Sequence, residues 1–307
     1  AKGLIENGCK VTIVDTLLGT KGENTFKDGV YDNIEYHIFP RKGIKSLWEN
    51  AKILAKILKS KKQDRDNYVI LGMTLYPAFI ITTILCIIYG YKRTALFHEW
   101  HIGMQNQSLL SKMEAWLKDK TFGWFLNGIF PISHFLYNKA KFFKKSQLFV
   151  PIMASYERIV NSYNDNCNFT YCGHSSYLLR NNIILDAFKA VKEKHNEAKL
   201  TLVLSGNEKQ MKDIREFIKD THIESIEIKY QISQEELFML YDNSLGLLIP
   251  LDPNSIQDEA RFSQKIAEYI SSKRPIITNA VGEIPYYFEN EKSAMIAEYS
   301  AESFSKA

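Results

Sequence analysis

The sequence predicts an α/β protein made of two doubly wound units, and three observations predict it. Short apolar runs of strand length alternate with longer segments whose apolar residues recur at helical spacing. This alternation occurs twice, on either side of a segment at 151–166 that turns polar after Val160. Net charge changes sign across the same segment. Residues 1–150 hold 22 Lys and Arg against 12 Asp and Glu, or +10, whereas residues 151–307 hold 17 against 23, or −6. Domains are therefore expected at 1–152 and 153–307, facing one another across a cleft. Ligands are expected beyond the carboxyl ends of the strands, as in other open α/β sheets.

In the first half, residues 2–8 read as the end of a helix capped by Gly8, and 11–15 (VTIVD) as a buried parallel strand. Residues 17–31 are glycine-rich and polar and read as a loop. Strands follow at 34–39, 68–71, 93–97 and 129–133, the second of them buried, and 148–150 leads to Pro151. Helices are expected at 45–62 and 109–126 from apolar spacing. The run FIITTILCIIY at 79–89 is short of the roughly 20 residues that span a bilayer. It reads as a core helix starting near Pro77.

In the second half the strands are 169–172, 200–204, 226–230, 245–250 and 275–278, and the helices 183–194, 209–219, 234–242 and 264–272. The chain begins with Ala1 in a helical pattern and ends in another, SAESFSKA. A fragment lacking its first strand and last helices is expected.

Hydrophobic content of 45% and aromatic content of 13% suffice for two cores. The four cysteines form no CxxC pair, which fits a reduced, cytoplasmic setting better than a disulfide framework. The basic half suggests an anionic partner. KAKFFKK at 139–145 interleaves basic and apolar residues, which suits lipid headgroups on the inner membrane face and equally suits a solvated helix face. No nucleic-acid-binding module is recognisable, so nucleic acid is not expected as a partner.

Three places carry chemistry. The first is DEARFSQKIAEYISSKRPII at 258–277, where Arg261, Ser263 and Lys265 gather at a helix start. The unpaired N–H groups there can seat a phosphate, and Glu268, one turn in from Lys265, can accept from sugar hydroxyls. The alternative is a solvated surface helix. Second, Gly173 closes a strand and Arg180 stands before the next helix, with a loop at 174–179 between them. Glycine there lets a ligand approach backbone, or merely ends the strand, while the guanidinium fork of Arg180 suits a diphosphate. Third, His98, Glu99, Trp100 and His101 follow a strand end. Their spacing is not that of a zinc-binding HExxH helix, and the place suits an acceptor-side site.

Taken in order, FTYCG, LTLVLSGNE, QISQEELFMLYDNSLGLLIPL and KIAEYISSKRPIITNAVGEIP resemble the donor-binding domain of the GT-B glycosyltransferases of family 4. LIENGCKVTIVD, ALFHEWH and FPISHFL are similar, less sharply, to that family's first domain. The resemblance implies two Rossmann-like domains and transfer of a sugar from a nucleotide-diphosphate sugar to a polysaccharide or lipid-linked acceptor. Retention at the anomeric carbon, no metal and no cofactor are implied with it. Arg180 and Lys265 fall on the family's two cations for the diphosphate, and Glu268 on the acid that holds the ribose. Gly173, Ser205, Gly206, Gln231, Ile232, Glu259 and Arg261 fall in donor-binding segments. His98, Glu99 and His101 fall on the acceptor side, with His101 against the transferred sugar. The family's first acid would stand at 260, which is Ala260 here, so Asp258 or Glu259 is expected in its place. RFSQK is similar to a subgroup pattern, RFP-x-K, and His174 stands where Arg is usual. A sugar-nucleotide epimerase on the same fold and a non-catalytic nucleotide-sugar-binding scaffold are the competing readings.

Overall fold

The structure is a computed structural model and describes residues 2–41, 43–64, 66–72, 74, 76–103, 108–154 and 167–307, without the side chains of Lys2, Ile44 and Arg180. Most of the expected connection at 151–166 therefore lies outside the described residues. Two compact units are present: Ala1–Ile132 with Leu136–Val150, and Ser133–Phe135 with Pro151–Ala307.

The first unit runs α1 (Lys2–Glu6), β1 (Thr12–Val14), β2 (Lys27–Tyr31), β3 (Ile34–Ile38), α2 (Ile44–Lys61), β4 (Tyr68–Leu71), α3 (Tyr76–Ile88), β5 (Lys92–Phe97), α4 (Leu109–Thr121), β6 (Gly128–Pro131), α5 (His134–Ala140) and β7 (Ser146–Gln147). Its strands form two sheets. One is ordered β1-β3-β2; the other, β4-β5-β6-β7, is wholly parallel. β2 corrects the sequence reading, which left it inside a loop. It pairs antiparallel with β3, Lys27 opposite Ile38. KDGVY exposes four of its five residues, so it carries no burial periodicity to detect. β1 and β4 are less buried than their apolar sequences suggest, Tyr68 being 58% exposed. Each stands at the edge of its sheet. Phe39, Leu54, Leu58, Ala78, Cys86 and Tyr91 form the core between α2, α3 and the strands. α3 buries Ala78, Phe79, Thr83 and Cys86 and leaves Ile84, Ile87 and Ile88 exposed. Among the described residues no helix is long and apolar enough to cross a membrane.

The second unit runs β8 (Asn168–His174), α6 (Ser175–Arg180), α7 (Ile183–Lys194), β9 (Lys199–Ser205), α8 (Glu208–Asp220), β10 (Ile226–Tyr230), α9 (Gln234–Asp242), β11 (Gly246–Ile249), α10 (Ile256–Ala260), α11 (Gln264–Ser272), β12 (Ile276–Asn279), α12 (Ile284–Tyr287), β13 (Met295–Ala297) and α13 (Ala301–Lys306). One parallel sheet, ordered β10-β9-β8-β11-β12-β13, is covered by helices. β9, β11 and β12 are buried along nearly their whole length, as strands covered on both faces must be. The chain starts at β8, winds outward through β9 and β10, then returns beside β8 at β11 and winds the other way. Between β8 and β11 the connections part to opposite sides, which leaves a crevice at the carboxyl edge of such a sheet.

Two short helices correct the sequence reading. α6 occupies what read as the loop 174–179, so Arg180 ends one helix and, as expected, stands just before the next, α7. His174 starts it, its ring Nδ1 accepting the Ser176 N–H at 3.2 Å. α10 occupies the loop before α11, started by Ser255, whose hydroxyl accepts the Asp258 N–H at 3.3 Å. Six and five residues are too few to show helical periodicity.

Candidate functional site

In the second unit the parallel strands bring the segments after β8, β9, β10 and β11 to one edge. His174 is in register with Ser205, which places Gly173, His174, Ser205 and Gly206 side by side. Gly173 has a packing reason of its own: a Cβ there would lie 2.2 Å from the Tyr171 hydroxyl. Gly206 likewise makes room for Ser175, whose hydroxyl would lie 2.6 Å from an added Cβ. The Gly206 carbonyl accepts from the Tyr230 hydroxyl at 3.0 Å. That hydroxyl in turn accepts from Gln231 Nε2 at 3.1 Å. Gln231 holds φ at 55°, a left-handed residue that turns the chain after β10 toward α9, with Ile232 half-buried behind it. Ser205 and Gln231 are exposed at this edge.

The stretch 258–268 divides into an internally bonded part and an open part. Arg261 Nη2 donates to Asp258 Oδ1 at 2.8 Å and to the Tyr177 hydroxyl at 2.9 Å. Burial works against the guanidinium charge, but Tyr177 and Asp258 outweigh it and hold the group above its usual value. Asp258 is buried, and its Oδ2 accepts the Asp252 N–H at 3.0 Å. Asp258 is thus bonded within the loop itself, and Ala260 beside it is fully buried. Glu259 is exposed; one of its oxygens accepts the Gly282 N–H at 3.1 Å. Of the two acids beside Ala260, it is the one at the surface.

Lys265 and Glu268 lie one turn apart on α11, both half-buried. Burial pushes the Glu268 carboxyl above its usual range, opposed by the charge of Lys265 and the hydroxyl of Tyr241, 3.4 Å away. Burial also raises the Cys172 thiol, opposed by the Tyr241 hydroxyl and the charge of Lys265 and reinforced by that of Glu268. Tyr269 ties the helix to the sheet, its hydroxyl accepting the Cys172 N–H and donating to the Leu248 carbonyl. Ser263 begins α11 without a side-chain capping bond. The Ile266 N–H turns back to the Ser263 carbonyl at 3.0 Å, so the Gln264 and Lys265 N–H groups are those this helix start offers to an anion beside the Lys265 ammonium. The Arg180 side chain lies outside the described residues.

In the first unit, β5 ends at Phe97 and the chain turns through His98 to His101. The four residues have different surroundings. His98 Nδ1 lies 3.2 Å from the Leu96 carbonyl, back on its own strand. His101 is buried, and its Nδ1 meets Asp119 Oδ1 at 2.9 Å. The other oxygen of Asp119 accepts the backbone N–H of His101 at 2.6 Å and of Ile102 at 2.8 Å. Asp119 thus fixes both the ring and the loop, and Nε2 is left facing Glu99 at 3.8 Å. Sequence reading missed Asp119. It lies 18 positions away in LKDK, where an acid among lysines reads as solvated, and nothing local signals its role.

A parallel sheet whose winding reverses at its middle, with a helix start at its carboxyl edge, defines a doubly wound α/β class. The comparisons carry this further. Residues 168–307 match the family model of the glycosyl transferases group 1. No curated protein matches the chain in sequence. Among solved structures, the pneumococcal O-GlcNAc transferase GtfA in complex with UDP and GlcNAc superposes with a TM-score of 0.58 at 12% identity, over 92% of this chain and 56% of that one. HepE of Anabaena in complex with UDP-glucose gives 0.66 at 11% identity, over 89% and 75%. A putative UDP-N-acetylglucosamine 2-epimerase of Listeria monocytogenes gives 0.54 at 10%, over 86% and 70%. The fold is GT-B, and residues 168–307 are similar to the glycosyl transferases group 1 family. The chain spans about half the length of the first structures it matches.

Proposed function

We propose that the protein is a retaining glycosyltransferase that moves a hexosyl group from a nucleotide-diphosphate sugar to a polysaccharide or lipid-linked acceptor, without a metal. The observation that carries this is the start of α11. Uncapped N–H groups and Lys265 gather there one turn from Glu268, at the carboxyl edge of the sheet. As the glycosidic bond breaks, the departing diphosphate gains negative charge. Lys265, the helix start and Arg180 would stabilise that charge most where it is greatest, in the transition state, and so take a divalent cation's part. Glu268 accepts from the ribose hydroxyls, and Glu259 takes the sugar contact that Ala260 cannot make. His101, held by Asp119, presents Nε2 to the transferred sugar. The basic first unit addresses an anionic acceptor at the inner membrane face.

The test is slow hydrolysis of a nucleotide-sugar in the absence of acceptor. Release of nucleotide diphosphate that falls about 100-fold or more in Lys265→Ala, with unchanged thermal stability, is expected. Equal release by the variant would sink the assignment. The epimerase reading has the Listeria structure in its favour, since it shares the fold. Conversion of the donor sugar without release of nucleotide would select that reading.

A further inference from the structure

α4 is an amphipathic helix turned inside out. Its apolar stripe is Leu109, Leu110, Met113, Trp116 and Leu117, the spacing that normally marks a core-facing side. Here the stripe faces outward, Leu109 being 85% and Trp116 56% exposed. The inward side carries the ionisable groups. Lys118 is 6% and Asp119 1% exposed. Glu114 accepts the Tyr76 N–H at 2.8 Å, and Asp119 holds His101. Burial pushes the Lys118 ammonium down, opposed by Asp119, Glu114 and Glu99. The inward polar side thus has structural work, whereas the outward apolar side has none within the described residues.

Basic residues border that stripe. Lys112 and Lys120 are exposed on α4. Lys120 Nζ lies 5.9 Å above the ring of Phe142, itself 60% exposed, which joins the helix to the turn bearing Lys141 and Lys144. We infer that α4 and this turn form one docking surface for an anionic lipid bilayer, with the helix lying in the headgroup layer. Thirteen residues cannot cross a bilayer but can lie along it. Trp116 suits the boundary between headgroups and acyl chains. The lysines pair with lipid phosphates, in keeping with the +10 charge of residues 1–150. A second copy fits less well, because a two-fold contact through this stripe would bring bordering lysines of both copies together.

The choice of partner deepens the lipid-linked acceptor reading, but binding to lipid needs no donor. Failure here leaves transfer to a soluble acceptor standing, and failure of transfer leaves the surface standing. The full chain is sedimented with vesicles of phosphatidylcholine mixed with phosphatidylglycerol, and with phosphatidylcholine alone. Binding to the mixed vesicles with a blue shift of tryptophan emission is expected, weaker by about 100-fold on the neutral ones. Met113→Asp with Leu117→Asp should abolish it, and Lys112→Gln with Lys120→Gln and Lys141→Gln should reduce it to the neutral level. Both variants should keep the wild-type circular dichroism. No binding by the wild type, or equal binding to both vesicles, overturns the inference. So does a wild-type dimer that the aspartate variant converts to monomers, since a second copy would then cover the stripe.

Discussion

α4 and α8 are both 13 residues long and both amphipathic, yet they use opposite sides. α8 buries Met211, Ile214 and Ile218 and turns its charges outward. α4 buries Ala115, Lys118 and Asp119 and turns its leucines and tryptophan outward. The difference teaches that periodicity tells which residues share a side, and only the neighbours tell which side is core. For α8 the neighbours are α6 and the apolar cluster that includes strands β9 and β10. For α4 they include a buried histidine loop that needs a carboxylate.

The largest expected effect comes from placing one charge on equivalent stripes. Ile214→Asp buries an unpaired carboxylate and loses a packed side chain. It should cost at least about 4 kcal/mol in the urea unfolding transition of the second unit. Leu117→Asp, on the outward stripe of α4, should stay within about 0.5 kcal/mol of wild type. Comparable losses would mean that the α4 stripe is covered in solution. Next is the inward side of α4. Asp119→Asn keeps the shape but replaces an acceptor oxygen that serves two backbone N–H groups or the His101 ring. A loss of about 1–3 kcal/mol is expected. Turnover of nucleotide-sugar should fall with little change in KM if His101 works through Nε2. Wild-type turnover in Asp119→Asn would reduce this pair to a structural one. The smallest contrast lies in the caps. Asn207 and Gln210 form a reciprocal capping box on α8, whereas on α4 the Ser108 hydroxyl accepts one backbone N–H, that of Ser111 at 3.2 Å, and meets the Ser111 hydroxyl at 2.9 Å. Asn207→Ala should cost about 1 kcal/mol and Ser108→Ala about half of that by thermal unfolding.

How much was legible varied with length and periodicity. α7, α8, α9 and α11 run for nine to thirteen residues, enough for a helical pattern to show, and each begins within a residue or so of its expected place. β2 was missed because it is exposed along nearly its whole length, and α6 and α10 because six and five residues are too few for a helical period; their ends depend on pairing to β3 or on caps from His174 and Ser255. Of the candidate site residues, Lys265 and Glu268 could be put on one helix side from spacing alone. Nothing local revealed that Arg261 is bonded to Asp258 and Tyr177, because Tyr177 is 84 positions away. Gly173 could be read as ligand access or as strand punctuation; its packing against Tyr171 was invisible in FTYCG.

The order of apolar runs by itself determined two α/β series, the strands and longer helices of the second, and where α11 starts with its free-standing first N–H groups. Those features follow from local periodicity and from backbone N–H groups that every helix start leaves unpaired. Only the tertiary structure decided that the first unit's strands divide into two sheets, that Asp119 holds His101, and that α4 faces outward with its leucines. Burial and pairing depend on which distant residues come to lie alongside, and one helix pattern serves equally for a core or for a surface.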